Sequence, residues 1–366
     1  RFNLRNSIYF VEAEEIREDA VMPAPRVTVV LPVFNGERFI RDAVESILSQ
    51  TLEDFELIVI DDGSTDRTPE ILSLLKDDRL SVHRNDTNLK LISSLNRGLV
   101  LARGEFIARM DADDISKPER LAKQVAFLDS HPDIDLVGTD ILVFESDPDD
   151  GVRLMPPPVT SAQIRWELLR VSCLYHPTVM MRRSIFDSEK AYDPTFTHSE
   201  DYELWLRLSR TRKLWNIIEP LLLYRRHENS ISRTQAITQR ERAEAALAHE
   251  IEVRIGIRPS RAVTGPLMQP WSLGSLESVD EFRRIFPLLV EESLTQGELS
   301  KIDRRFIEDS ALATILRLVA QALRHKRTFV WALFGTILEC RFSKETFFRF
   351  PFRLGQMVAR KLVAKI

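Results

Sequence analysis

Two short apolar runs end abruptly in acid, and nothing else in the chain limits its fold as much. Phe106-Ile-Ala-Arg-Met110 gives way directly to Asp111-Ala-Asp113-Asp114, and Phe55-Glu-Leu-Ile-Val-Ile60 to Asp61-Asp62. Apolar runs of this length predict buried strands, and an acidic exit marks a strand end that opens into a site. In open α/β sheets ligands bind outside the carboxyl ends of the strands, so two such parallel strands bring both acid groups to one sheet edge. Carboxylates this close repel one another unless something positive lies between them. Oxygen ligands suit a hard divalent cation, Mn or Mg. A solvated acidic turn, with Ser116-Lys117-Pro118 opening the next helix, fits the same spacing.

The surrounding periodicity is consistent with strands. Residues 26–31 predict a first strand ended by Pro32, followed by the turn Val33-Phe-Asn-Gly36. Residues 37–50, 68–76 and 92–102 read as helices, the second capped by Thr65 or Asp66, and residues 80–84 as a further strand. Alternating strands and helices predict an α/β fold, a mostly parallel sheet with helices on both faces. Further on, helices are expected at 118–128, 161–170 and 200–208 and strands at 134–144, 176–181 and 215–224. From residue 234 only helical patterns remain. The division is therefore an N-terminal arm (1–25), an α/β domain (26–232) and a helical C-terminal region (233–366).

Composition narrows the partners. Hydrophobic content of 44% and charged content of 29% belong to a globular chain, and a net charge of -4 offers no global attraction to nucleic acid. Cys173 and Cys340 make neither a disulfide framework nor a metal knuckle, in keeping with a reducing, cytoplasmic setting. No apolar run approaches the roughly 18 residues of a membrane span; the longest candidate, 329–338, is too short. The chain begins at Arg1, as a trimmed chain would, without the apolar core of a signal peptide.

Several pieces occur together in one order: Pro32-Val-Phe-Asn35, Asp61-Asp-Gly-Ser-Thr-Asp66, Asn96-Arg-Gly98, Ala102-Arg-Gly-Glu-Phe-Ile107, Asp111-Ala-Asp-Asp114 and Pro118-Glu-Arg120, then His176-Pro-Thr-Val, Glu200-Asp201 and Tyr224-Arg-Arg-His227. The ordered set resembles the family 2 inverting glycosyltransferases of bacterial surface-polysaccharide assembly, over about residues 26–232. That resemblance implies the GT-A fold, a Rossmann-like α/β sheet. Asp111-Ala-Asp113 resembles the family's Asp-X-Asp motif: Asp113 as main metal ligand, Asp111 nearer the ribose or the metal's water shell, with Asp114 orienting the loop. Asp62 would read the uracil ring of a UDP-sugar, with Pro32, Phe34, Glu37 and Asn96 in the nucleotide-sugar site, while Asp61 holds the local turn. Phe34 also fits a core position. Asp201 resembles the catalytic base; acid at a helix start after Ser199 is the plainer reading of that pair. His227 would approach the metal or diphosphate, or serve structure alone; His176 has the same ligand reading or orients the loop before Pro177. Arg182 and Arg183 would meet phosphate or solvent. Where relatives often carry Gly, this chain has Lys90.

The tail, residues 341–366, interleaves Phe with Lys and Arg, which suits peripheral contact with an anionic membrane, at the inner face of the plasma membrane, or packing into the helical region. The implied acceptor is a glycan or lipid-linked hydroxyl in cell-envelope synthesis. Two other readings are open: a sugar-nucleotide pyrophosphorylase, disfavoured by a first loop poor in Gly and basic residues, and a catalytically silent nucleotide-sugar-binding or membrane-docking scaffold.

Overall fold

The computed structural model describes residues 24–228, 235–269, 276–324, 330–343 and 345–346. The predicted N-terminal arm, the 232/233 boundary and most of the basic tail lie outside these residues. The first strands are β1 (Val27–Val33), β2 (Phe55–Asp61), β3 (Leu80–Arg84), β4 (Phe106–Arg109) and the short β5 (Ile115–Ser116). They are followed by β6 (Leu136–Phe144), β7 (Val152–Arg153), β8 (Met180–Arg182) and β9 (Leu214–Arg225). All join one sheet in the order β3-β2-β1-β4-β8-β6-β9-β5, with β7 on β6.

The half that bears the acid is parallel, β3-β2-β1-β4, as the alternation of strands and helices requires. β8 then enters antiparallel between β4 and β6, and β9 runs parallel to β6. Both acid-ended strands therefore do point to one edge.

Pro32 does not end β1, as its missing N–H suggested; the strand continues through it to Val33. Even-numbered residues of β1 face β4, where Val30 O accepts from Met110 N, whereas Val33 O accepts from Asp62 N on the β2 side. β4 has finished at Arg109, so no ladder partner waits for the donor that Pro32 lacks. The expected strand at 176–181 shrinks to β8, because His176–Thr178 forms a turn of 3-10 helix. Ser116 lies in β5, paired with Leu222 of β9, instead of opening a helix.

The helices of this region are α1 (Ile40–Leu48), α2 (Thr68–Leu74), α3 (Leu91–Leu101), α4 (Arg120–Ser130), α5 (Ser161–Glu167) and α6 (Glu200–Thr211). α1 buries Ile40, Ala43, Val44 and Ile47, a one-sided stripe against the sheet. Gly104 is required before β4, since a Cβ there would lie 2.5 Å from Thr28 N.

Then come α7 (Ala236–Ile255), α8 (Arg261–Met268), α9 (Leu276–Thr295), α10 (Lys301–Arg324) and α11 (Val330–Glu339). These helices share one apolar core with α5 and α6, in which Trp166 meets the edge of Phe286 at 6.0 Å. Half-buried ion pairs cross the same seam: Glu292 takes Arg165 at 2.6 Å and Arg254 at its other oxygen.

Candidate active site at the carboxyl edge

Beyond β4 the chain turns through Asp111, Asp113 and Asp114, whose carboxylate oxygens come within 4.8 Å of one another. The turn is held from several sides. Arg225, at the end of β9, donates its main-chain N–H to Asp114 Oδ1 (2.8 Å) and its Nε to Asp113 O (2.8 Å). His227 Nε2 lies 2.8 Å from Asp113 Oδ2, with its ring against Phe39. Arg109, at the end of β4, ion-pairs with Asp111. Arg120 is fully buried; its guanidinium donates to Arg109 O at 2.8 Å and to Gln124, and burial beside the Arg109 charge pushes its pKa down to about 9.

Burial and mutual repulsion raise the pKa of Asp113, and of Asp114 further still. Asp114 Oδ2 is buried and has no hydrogen-bond partner. A cluster of hard oxygens that repel one another, with one oxygen orphaned, fits a divalent cation. Asp113, Asp111 and Asp114 would hold it, with His227 beside them.

Beside the acid turn, at the same sheet edge, stand the loops that follow β1 and β2. These loops are zipped together: Asn35 N donates to Ser64 Oγ, Gly36 N to Thr68 Oγ1, and Arg67 N to Glu37 Oε2. Phe34 is 46% exposed, so it stands at the surface of this loop rather than in the core. Pro32 is buried beneath it. Asp61 holds the turn by accepting from Ser64 N, and Asp66 caps α2 by accepting from Thr68 N.

Asp62 accepts from Asn85 Nδ2 (2.7 Å), Leu89 N (2.9 Å) and Lys90 N (2.8 Å). Lys90 sits at φ 74°, ψ 162°, a conformation that glycine adopts without strain and other residues at roughly 1–3 kcal/mol. That is the physical reason a Gly suits this position; Asp62 holds the strained loop in place. Gly63 allows the same close approach, because a Cβ there would meet Thr87 C at 2.8 Å.

Against α3 lies the loop that precedes α6. Asn96 grips the main chain of Tyr192 in both directions, donating to Tyr192 O (3.0 Å) and accepting from Tyr192 N (3.1 Å). With its amide occupied on both sides, Asn96 positions this loop. The Tyr192 hydroxyl lies 2.8 Å from His176 Nε2, and both groups are buried. Burial, with Arg109 nearby, drives the His176 pKa well down, so the ring is neutral and orients its surroundings.

Asp201 accepts from Tyr202 N at 2.7 Å. Burial raises its pKa, and Asp111 adds to the rise while Arg109 opposes it; Asp201 and the acid turn thus share the field of Arg109. Glu200, 5% exposed beside it, is pushed up to about 7, first by burial and then by Asp201. A carboxyl whose folded pKa exceeds its ordinary 4.5 contributes stability that is present below about pH 4.5 and lost as pH rises through about 7. Glu200→Gln is therefore expected to melt roughly 2–4 °C higher than the parent at pH 8 and at a similar temperature near pH 4.5, as followed by circular dichroism. An equal shift at both pH values would show that Glu200 ionisation does not oppose folding.

The structure thus brings Asp111, Asp113 and His227 together, with Asp201 in electrostatic reach. Arg182 and Arg183 lie elsewhere. β8 runs against β4, so Arg182 sits beside Phe106 at the far end of the strand, where it donates to Leu128 O and Ile134 O; Arg183 donates to Gly104 O. Sequence reading passed over Arg109 and Arg225. For Arg109 a signal existed, a cation inside an apolar run two residues before an acid, since buried charges need partners.

The family model described as "Glycosyl transferase family 2" matches residues 28–189, which include the acid turn and stop short of Asp201 and His227. The EpsE protein of Bacillus subtilis (strain 168) is 40% identical over 188 residues, half of this chain and 66% of that one. The O-antigen biosynthesis glycosyltransferase WbnJ of Escherichia coli is 32% identical over 216 residues, 57% of this chain and 82% of that one. Among solved structures, S. aureus TarS 1-349 in complex with UDP-GlcNAc superposes with a TM-score of 0.53 at 18% identity, covering 86% of this chain and 91% of that one; this likeness speaks for the GT-A fold. With the family model across the acid turn, WbnJ covered over 82% of its length and the fold to match, the chain belongs to glycosyl transferase family 2.

Proposed function

We propose that this glycosyltransferase is an inverting enzyme that moves a sugar from a UDP-sugar to a hydroxyl of a glycan or lipid-linked acceptor in surface-polysaccharide synthesis. The observation that carries the reading is Asp201: a half-buried carboxylate of raised pKa, with one oxygen engaged by Tyr202 N, in electrostatic reach of the acid turn. The O-antigen role in WbnJ's name and the UDP-GlcNAc bound to TarS support the acceptor and donor classes.

In this mechanism the acceptor hydroxyl oxygen attacks the anomeric carbon. The bond from that carbon to the diphosphate oxygen breaks, and UDP leaves with the electron pair. Asp201 takes the hydroxyl proton; its raised pKa makes it a stronger base than an ordinary Asp. Attack from the face opposite the leaving group inverts the centre. Asp113, Asp111 and Asp114, with His227 alongside, would hold a divalent cation, Mn or Mg, which would supply charge neutralisation for the diphosphate. Phe34 and Pro32 wall the base pocket, Glu37 braces its loops, and Asp62 reads the uracil edge while tying the 85–90 loop. Asn96 holds the Tyr192 loop against the sugar. The expected setting is cytoplasmic, at the inner face of the membrane.

A panel of nucleotide-sugars in Mn, read by thermal shift, tests the donor class. A ligand at 100 times its Kd adds about 2.7 kcal/mol to stability, so a UDP-sugar is expected to raise the melting temperature by several degrees while GDP- and CMP-sugars do not. Stabilisation by a GDP-sugar alone would overturn the UDP assignment. A silent binder would show the shift and yet release no UDP when acceptor is added.

A further inference from the structure

We infer that the outward face of α11 is a docking surface for an anionic lipid bilayer. α11 is apolar on both sides. Leu333, Thr336, Ile337 and Cys340 are buried, on the side that packs against α9 and α10. The opposite side presents Trp331, 81% exposed, and Leu338, 69% exposed. Phe334 lies between them, its ring 5.9 Å from that of Trp331. Positions 331, 334 and 338 fall on one stripe of a helix.

A helix that is apolar all round belongs in a core or against lipid, and this one has only one side in a core. Ten residues span about 15 Å, too short to cross a bilayer but long enough to lie in its interface. The charge of the sequence flanking it selects the occupant. From residue 324 to 366 the sequence holds ten Lys and Arg against two acids, in a chain whose net charge is -4. One of the two, Glu339, is neutralised by Arg283 at 2.6 Å. Basic clusters thus bracket an exposed Trp-bearing stripe, the pattern that anionic headgroups attract and that Trp anchors at the water–lipid boundary. A second copy of the chain would bring like charge against like.

The inference does not depend on the transferase reading, because lipid binding is read without donor or acceptor. The test is sedimentation of the full chain with phosphatidylglycerol/phosphatidylcholine vesicles and with phosphatidylcholine alone. The parent is expected to bind the anionic vesicles and to release them in high salt. The double substitution Trp331→Ser, Leu338→Ser is expected to weaken partition at least about tenfold. Ile302→Ser, which removes an equally exposed side chain (74%) elsewhere, is expected to leave it unchanged. If the double variant fails to fold, brominated lipid replaces it: it should quench parent fluorescence more than that of Trp331→Phe. Equal binding by parent and double variant, equal quenching, or a dimer lost on substitution without any vesicle binding would each overturn the proposal.

Discussion

Asp201→Asn is expected to lower the rate of sugar transfer by about 10³–10⁴-fold while leaving UDP binding within about twofold of the parent. Asn keeps the shape of the side chain and can still accept from Tyr202 N, so α6 and its loop are retained. What it loses is the ability to take a proton. The effect belongs in kcat, because the base acts in the transition state and the donor is held by the other wall of the cleft. The parent carries a second signature. Asp201 must be ionised to act, and burial raises its pKa, so kcat/KM should fall on the acid side at a higher pH than an ordinary Asp would dictate. Glu200, coupled to it, makes the limb shallower than a single titration. The checks are coupled UDP-release kinetics across pH 5–9 and calorimetric titration with UDP. Unchanged turnover in Asp201→Asn would remove Asp201 as the base.

Asp113→Ala is expected to abolish the dependence of UDP binding on divalent cation. In the parent, chelation by EDTA should weaken UDP binding by about 10–100-fold, because a diphosphate brought against three carboxylates meets like charge with nothing between. Removing Asp113 takes away a central carboxylate and the group that His227 faces at 2.8 Å. The variant should bind UDP equally weakly with and without Mn, and no worse than the parent in EDTA. That last comparison separates loss of a cation site from collapse of the cleft, which would weaken binding in EDTA as well. Isothermal titration with Mn, then with UDP, gives both numbers. A variant that still gains tenfold or more from Mn would show that the cation sits elsewhere. Because burial and crowding raise the pKa values of Asp113 and Asp114, Mn affinity in the parent should also fall as pH falls, protons competing for the same oxygens.

How much of this was legible beforehand differs from one residue to the next. The acid turn and its strand were readable because a buried strand and its exposed end obey local rules: apolar side chains inside, charge where the chain emerges. β3 was found at its observed bounds too, although it is an edge strand with no fully buried residue. Pro32 was misread because a lost N–H matters only if a partner faces it, and β4 stops before reaching that level. By type Arg182 and Arg183 suited phosphate or solvent alike, and antiparallel pairing of β8 carries them to the other end of β4. Asn96 looked like a ligand of the donor, but its partner, Tyr192, lies almost a hundred residues away.

The sequence alone determined the alternation of strands and helices, the acids at two strand ends and the identity of the residues that chemistry would need. These depend on side-chain type and on spacing within a single element. Tertiary structure alone decided which of them meet. β9 returns beside the acid turn and sets His227 on Asp113; Arg109 joins that turn electrostatically to Asp201; and Asp62 anchors a Lys in backbone territory meant for Gly. Such contacts arise from register and strand direction across the sheet, set by the summed burial of many residues, which no local pattern records.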